Sequence, residues 1–172
     1  LSETAALTRR IKINPVITDF VFLSNSRKPH LKKNMIGHKN KTRLKTEDKV
    51  VALGVDTCDL MGKGQDAKLI QFLAAENIPA TLFICGDWVD KNSAILKKLA
   101  ANPLFEIANQ GVSRKACSVS GKIANGVPGT SNVEELFTEI EQNARKIEAV
   151  TGILPQYYHA GSGYYDEVAV RI

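Results

Sequence analysis

The strongest constraint on the fold is the alternation of short apolar segments with longer amphipathic segments from residue 50 onward. The first segment, VVALGVD (50–56), is almost continuously apolar, as a parallel strand is when both of its faces are buried. Three later segments predict further strands: IPATLFICG (78–86), LFEIANQ (104–110) and PQYYHAG (155–161). This order predicts an α/β fold in which helices surround a parallel sheet or barrel.

Apolar spacing predicts helices between these strands. The first begins at Asp66 and ends near Asn77, and the second covers 92–100. The third opens on the capping-box sequence Ser131–Glu134 and ends near Val150. Its predicted apolar stripe is Val133, Leu136, Phe137, Ile140, Ala144 and Ile147. A last helix is predicted to start near Tyr164, and the long Gly- and Ser-rich loop 111–130 has a length that is usually functional.

The front of the chain differs in charge from the rest. Residues 1–49 carry 12 Lys and Arg against 4 Asp and Glu, whereas residues 50–172 carry 11 against 14. We therefore predict a basic extension or linker over 1–49, with one strand at 16–24, and a globular domain over 50–172. The Lys-rich part, 27–45, could bind an anionic polymer, but a solvated linker is the preferred interpretation. No aromatic residue is interleaved with its lysines, so no nucleic-acid partner is expected.

The remaining composition excludes several classes of protein. No apolar run reaches the roughly 18 residues that span a membrane. No signal peptide is visible, but the chain begins at Leu1 rather than Met, so this absence is uninformative. The three cysteines, Cys58, Cys85 and Cys117, form neither a zinc knuckle nor a disulfide framework. Cys85 is interpreted as a small apolar residue at a strand end, and a Cys58–Cys117 bridge is left open.

Candidate functional residues lie where the predicted strands end. Parallel α/β folds place their chemistry at the carboxyl ends of the strands. The residues there are Asp56 and Asp59, Gly86 and Asp87, Gln110–Arg114, and His159–Ser162. Two carboxylates placed after a buried strand can hold a metal, act as a base or cap a turn. Their partners at the other strand ends decide between these roles.

The order of the segments resembles the polysaccharide deacetylase family. The resemblance rests on VVALGVDTCDL, IPATLFICGDWV, NPLFEIANQGVSR, NVEELFTEIEQNARKIEAVTG and YYHAGSGYYDEVAVR, and it covers roughly residues 48–172. It is closest to a branch whose first motif reads F-D-x-C-E. The resemblance implies a distorted (β/α) barrel that removes acetyl groups from chitin, peptidoglycan or xylan. It also implies a divalent metal such as zinc, and a secreted, periplasmic or cell-envelope location.

The resemblance also assigns roles to individual positions. Asp56 matches the catalytic base, and Asp59 stands in the place of the metal-binding acid. Gln110 and Arg114 stand where the family has its two metal-binding histidines. The residues His159-Ala160-Gly161-Ser162 stand where the family has a motif whose Arg positions the catalytic base. The family's last motifs, which include a Leu-x-His that supplies the acid, would lie beyond Ile172, so the domain is expected to be partial.

These replacements predict a degenerate site that holds no metal. The amide oxygen of Gln110 is a weak zinc ligand, and the guanidinium of Arg114 has no lone pair to donate. The hypothesis is that Arg114 forms an ion pair with Asp59 or Asp56 in place of the metal. His159 is the one residue that could restore a ligand or transfer a proton there, so Asp56 and His159 are the catalytic candidates.

Three functions follow from this interpretation. The first is a non-catalytic relative that binds a glycan such as chitin or peptidoglycan. The second is an active metal-dependent deacetylase with an altered site, or one completed by a second chain. The third is a basic module that binds an anionic polymer. The substrate-binding candidates are Tyr158, Gly161, Ser162 and Tyr164, although tyrosines in this region could equally pack the core. The open edge of a partial sheet also predicts self-association or a partner fragment.

Overall fold

The computed structural model describes residues 11–12, 21–23, 50–58 and 65–172. Its strands are β1 (Ile11–Lys12), β2 (Val21–Leu23), β3 (Val50–Val51), β4 (Leu53–Asp56), β5 (Ala80–Ile84) and β6 (Phe105–Asn109). Its α-helices are α1 (Gln65–Ala75), α2 (Gly86–Ala100) and α3 (Val133–Thr151). A short 3-10 helix, Ala169–Arg171, lies close to the end of the chain.

The central sheet has the order β2-β4-β5-β6, and all of its neighbouring strands are parallel. Asp56 pairs with Phe83, and Phe83 pairs in turn with Ala108, so the carboxyl ends of three strands lie side by side. β1 and β3 form a separate antiparallel pair. The predicted α/β fold with a parallel sheet is therefore confirmed, and the predicted strand at 16–24 is confirmed over Val21–Leu23.

The main core lies between the sheet and the helices α1, α2 and α3. Leu82 and Ile84 of β5 and Leu96 of α2 are completely buried in it, together with Ile147 of α3. Central parallel strands are covered on both faces, and this explains why β5 is apolar at nearly every position. The core thus fixes the three strand ends from which the site is built.

Helix α2 is longer than the sequence predicted. It begins at Gly86 rather than at residue 92, and Asn92 interrupts it with a non-helical φ of −134°. Trp88 and Val89 of the added part are buried in the core. The apolar periodicity is broken at the Asn92 kink, so only the second half carried a helical pattern. The correction matters because the N-terminus of α2 now lies at the edge of the site.

Helix α3 begins one residue later than the predicted capping box. The N-cap is Asn132, whose side chain accepts a hydrogen bond from the Glu135 N–H at 2.8 Å, and Ser131 precedes it. The helix ends at Gly152, which adopts a φ of 76° that favours glycine. Two members of the predicted stripe are not in the core, since Val133 is 49% exposed and Phe137 is 61% exposed. Leu136 and Ile147 are buried as predicted.

The segment predicted as a fourth strand, 155–161, pairs with β6 at only one position. Tyr158 forms an isolated parallel bridge with Asn109, and the His159 N–H donates to the Asn109 carbonyl at 2.9 Å. The helix predicted near Tyr164 is also absent, and the 3-10 turn Ala169–Arg171 takes its place. The predicted self-association through this edge stays a prediction, as does a domain boundary near residue 49.

The cysteine prediction is wrong. Cys58 and Cys85 form a disulfide across a Cα–Cα distance of 5.5 Å, whereas Cys117 is free and buried. Each bonded cysteine lies two residues beyond the paired residues Asp56 and Phe83, so the parallel register brings the two together. Asp59 and the Lys-rich stretch 27–45 lie outside the described residues. None of the described helices has the length and hydrophobicity needed to cross a lipid bilayer.

Candidate functional site at the carboxyl edge of the sheet

Asp56 and His159 come together at the carboxyl edge of the sheet. Asp56 Oδ1 lies 3.4 Å from His159 Nδ1, and the two side chains are only 11% and 16% exposed. The His159 ring also lies 5.4 Å from the ring of Phe83, at an angle of 55°. β4 supplies the carboxylate, and the segment that follows the Tyr158 bridge supplies the imidazole. The structure thus joins the two predicted catalytic candidates as a carboxylate–histidine pair.

Gln110 lies directly beyond β6 and is completely buried. Its N–H donates to the Ile84 carbonyl at 2.9 Å, which continues the ladder between β5 and β6. Its Oε1 lies 2.8 Å from the Cys58 Sγ, and its Nε2 has no hydrogen-bond partner among the described residues. Cys58, Cys85 and Gln110 therefore form a row across three neighbouring strand ends.

Arg114 lies in the loop after β6 and has a left-handed backbone, with a φ of 61°. Gly161 packs directly against it, because a Cβ at position 161 would overlap the Arg114 carbonyl oxygen and Cβ. Among the described residues, His159 lies next to the Asp56 carboxylate. Because Asp59 is not described, its predicted ion pair with Arg114 stays a prediction.

The loop 111–115 is held by Glu139 of α3, a residue that the sequence interpretation missed. The Glu139 carboxylate is buried and accepts hydrogen bonds from the N–H groups of Ser113 at 2.9 Å and Lys115 at 3.1 Å. Burial raises the pKa of Glu139, although the backbone hydrogen bonds and Lys115 oppose this shift. A signal for this role was present in the sequence, because residue 139 shares a helix face with the core residues Leu136 and Asn143.

The tyrosines around residue 160 differ in how deeply their side chains are buried. Tyr158 and Tyr165 meet edge to face, with a centroid distance of 6.4 Å, in a second cluster with Cys117, Leu136, Ala160 and Ala169. Burial raises the pKa of both hydroxyls. It also raises the pKa of the Cys117 thiol to about 12. Tyr164 is only partly buried, and Lys122 Nζ lies 5.0 Å from the centre of its ring.

Gly161 and Ser162 form a turn next to this ring. The Ser162 hydroxyl accepts a hydrogen bond from the Tyr164 N–H at 3.2 Å, and the Ser162 carbonyl accepts one from Asn125 Nδ2 at 3.2 Å. The long loop 111–130 therefore reaches across to the 159–164 turn. Of the two predicted substrate-binding tyrosines, Tyr158 packs against the second cluster with a buried hydroxyl, whereas Tyr164 is partly buried beside Lys122. Their binding roles stay predictions.

The described residues at this edge do not by themselves make up a hydrolytic metal site. Such an ion needs about three protein donors and one open position. No group of three His, Cys, Asp or Glu side chains that could hold an ion occurs among the described residues. Gln110 offers a neutral amide, and Arg114 carries a permanent positive charge. Within the part of the chain that the structure describes, the Asp56–His159 pair supplies two suitable donors, and Asp59 lies outside that part.

A shallow pocket of about 200 Å³ lies on the other side of the 155–158 segment, against α3. Its lining includes Ile140, Leu154, Pro155 and Tyr157. Asp56 and His159 are not among its lining residues, so the pocket is separate from the chemistry at the strand ends.

The chain belongs to the polysaccharide deacetylase family, because the model of that family matches residues 43–172. The fold and the site residues described above lie within this range, apart from β1 and β2. Among curated proteins, none matches the chain in sequence.

Solved structures of similar fold come from the same family. A CE4 family pseudoenzyme from Bacillus anthracis matches at 20% identity with a TM-score of 0.57, over 73% of this chain and 40% of that one. A family 4 carbohydrate esterase from Bacillus anthracis matches at 21% identity with a TM-score of 0.55, over 69% and 51% of the two chains. The T48 deacetylase, solved with substrate, matches at 24% identity with a TM-score of 0.53, over 70% and 53%. The chain therefore spans about half the length of these structures or less, and the likeness shows the fold.

Proposed function

We propose that this chain is a catalytically degenerate polysaccharide deacetylase that binds an acetylated glycan, such as chitin or peptidoglycan, without hydrolysing it. The observation that carries the proposal is the pair of residues at the family's metal positions. Gln110 is completely buried within the edge of the sheet, and Arg114 follows it in the loop held by Glu139. Neither can replace a histidine ligand, so the water-activating step of the family has no support here.

The physical reason is electrostatic. A guanidinium stays protonated at any pH at which the protein is folded, and it would repel a divalent ion at the same position. The Gln110 N–H donates to the Ile84 carbonyl, and its buried Oε1 lies against the Cys58 Sγ of the disulfide. The side chain is therefore held by its surroundings and cannot readily reorient to coordinate an ion.

The glycan part of the proposal rests on the surface around Tyr164. Sugar rings stack on aromatic faces that are accessible at one side, and Tyr164 is partly exposed on the 159–164 turn. Lys122, 5.0 Å from this ring, adds a donor for hydroxyl and carbonyl oxygens. Since the family acts on acetylated polysaccharides, an extracellular or cell-envelope location belongs to the same proposal.

The test compares binding with turnover. We expect the purified chain to bind N-acetylated chitin or peptidoglycan fragments in calorimetry while it releases no acetate from them, with or without added Zn²⁺. Tyr164→Ala should weaken binding about tenfold, which is the loss of one stacked ring. Phe137→Ala is the control, since it removes a solvent-exposed aromatic ring from α3, outside the 159–164 turn. Acetate release by the unmodified chain would overturn the proposal.

A reversion experiment tests the metal argument separately. Gln110→His together with Arg114→His should create stoichiometric zinc binding that the unmodified chain lacks. One neighbouring structure is a mutant of the Bacillus anthracis pseudoenzyme with restored enzymatic activity; it matches this chain at 21% identity with a TM-score of 0.59, over 73% of this chain and 41% of that one. Tight zinc binding by the unmodified chain would show that Arg114 does not exclude the ion.

The Asp56–His159 pair favours one alternative, an active deacetylase with an altered site. A carboxylate that orients a histidine is an arrangement used for proton transfer. This alternative predicts that acetate is released in the presence of Zn²⁺, Co²⁺ or Ni²⁺, and that Asp56→Asn abolishes the release. If no metal supports turnover and Asp56→Asn leaves glycan binding intact, the alternative is excluded.

A further inference from the structure

The loop that carries Arg114 is organised around a single buried carboxylate. The N–H groups of Ser113 and Lys115 donate to Glu139 Oε1, and the Arg114 N–H between them is close enough to the carboxylate to help lower its pKa. The Val112 N–H also donates to the Glu139 backbone carbonyl at 3.0 Å. Successive N–H groups that converge on one anion form a nest, an arrangement that binds phosphates and other anions in many proteins. Here the anion belongs to the protein itself.

The backbone of the loop shows the cost of this arrangement. Arg114 has a φ of 61°, which is uncommon for a residue with a long side chain. Gly111 has a φ of 83°, and a Cβ at this position would overlap Glu139 Oε1. The two strained positions lie on either side of the point where the loop meets the Glu139 carboxylate, so the shape of the loop is matched to this side chain.

The helix that carries Glu139 also clamps the strand end just before the loop. Asn109 Nδ2 donates to the Ile140 carbonyl at 2.8 Å, and Asn143 Nδ2 lies 2.7 Å from Asn109 Oδ1. Asn109 Oδ1 also accepts a hydrogen bond from the Gly111 N–H at 2.8 Å. Strand end and loop are thus both fixed to α3, and Gln110 lies between the two attachment points.

We propose that Glu139 is a positioning residue whose charge shapes the loop 111–115 and, through the contact of Arg114 with Gly161, the 159–164 turn that carries Tyr164. This inference deepens the proposed function and rests on it for the glycan, whereas the shaping of the loop stands on the hydrogen bonds alone. Glu139 does not touch the Asp56–His159 pair. It acts through the backbone of Ser113, Arg114 and Lys115, to which the carboxylate supplies acceptors that are stronger than neutral ones.

Substitution by glutamine separates charge from packing. Glu139→Gln has the same shape, so a packing role alone would leave the loop unchanged. If the charge holds the nest, the amides of residues 113–115 should exchange with deuterium about tenfold faster in Glu139→Gln. Glu139→Ala should increase this exchange further, while amides in β5 keep their protection. Glu135→Gln is the matched control, because Glu135 contacts the Lys115 side chain and not the backbone N–H groups of the loop.

A measurement on the unmodified chain guards against a variant that fails to fold. Through-hydrogen-bond scalar couplings between the Ser113 and Lys115 amide nitrogens and the Glu139 carboxyl carbon should be detectable by long-range NMR. Their absence would overturn the proposal, as would unchanged exchange at residues 113–115 in Glu139→Gln.

Glycan binding supplies the second readout. Glu139→Gln should weaken binding of an N-acetylated chitin oligosaccharide about tenfold, whereas Glu135→Gln leaves it unchanged. Unchanged affinity in Glu139→Gln together with faster loop exchange would overturn the link to the glycan. If the unmodified chain binds no glycan, the proposed function fails, while the exchange and coupling measurements still decide whether the charge of Glu139 shapes the loop.

Discussion

Asp56 Oδ1 lies 3.4 Å from His159 Nδ1, so residues 103 positions apart in the sequence form a largely buried pair at the end of the sheet. Each side chain is less than one-fifth exposed, and burial strengthens an interaction that water would otherwise screen. The pair is therefore a structural link between β4 and the 155–161 segment, whatever part it takes in chemistry.

We expect a double-mutant cycle with Asp56→Asn and His159→Gln to give a coupling energy of about 1 kcal/mol in denaturant unfolding. The control is the surface pair Lys146–Asp90, which is shorter at 2.6 Å but 30% and 56% exposed. Its coupling should be about 0.5 kcal/mol or less, because solvent screens it. A coupling at Asp56–His159 no larger than that of the surface pair would contradict the prediction.

The Cys58–Cys85 disulfide should contribute substantially to stability. It closes a chain separation of 27 residues, and the chain-entropy relation gives about 3.5 kcal/mol for such a loop. Reduction should lower the free energy of unfolding by about this amount. Alkylation after denaturation should modify one cysteine, Cys117, before reduction and all three cysteines after it. Three reactive thiols without reductant would show that the bridge does not form.

The contact between Gly161 and Arg114 should make position 161 intolerant of any side chain. Gly161→Ala forces a Cβ into the Arg114 backbone, and it should cost about 3 kcal/mol or more of stability. Gly126→Ala is the control, because Gly126 has a φ of 79° but open space around its Cα. That substitution should cost about 1 kcal/mol from backbone strain alone. Equal costs at the two positions would mean that the loop and the turn do not touch.

Glu135 should make the protein more sensitive to acid. Its hydrogen bond with Lys115, assisted by the Ser131 hydroxyl and N–H, lowers the pKa of Glu135 from 4.5 to about 2. A carboxylate with a lowered folded-state pKa stabilises the fold above the unfolded-state pKa, and this contribution is lost as the pH falls towards the folded-state value. The stability difference between the unmodified chain and Glu135→Gln should therefore shrink between pH 4.5 and pH 2.

Glu141→Gln serves as the reference for this acid effect. Glu141 lies on the same helix and pairs with Arg145 on the surface, where both side chains are more than one-third exposed. Its substitution should give a stability difference that depends less on pH. A parallel pH dependence in the two variants would rule out a special role for the Lys115–Glu135 contact.

The predictable parts of the fold are those whose buried positions produce a recognisable apolar pattern in the sequence. Two-sided burial makes β4 and β5 nearly continuous apolar runs, and one-sided burial gives α3 its period. The same pattern wrongly predicted Phe137 to be buried, since this apolar residue is 61% exposed. It also missed the first part of α2, because the kink at Asn92 interrupts the helical period.

Strand register carried information that the sequence interpretation did not use. Asp56 pairs with Phe83 and Phe83 pairs with Ala108. Cys58, Cys85 and Gln110 each lie two residues beyond these paired positions and are therefore neighbours. The disulfide can thus be inferred once the register is known. Glu139 was harder to identify, because a buried acid on a helix has no partner in its own sequence neighbourhood. Its partners are backbone N–H groups of a loop more than 20 residues away.

The covalent bond between Cys58 and Cys85 joins the tips of two adjacent strands, and Gln110 sits against the same bond. Because the two strand ends are covalently linked, they cannot move apart. We therefore expect this edge to keep the same shape whether or not a glycan is bound.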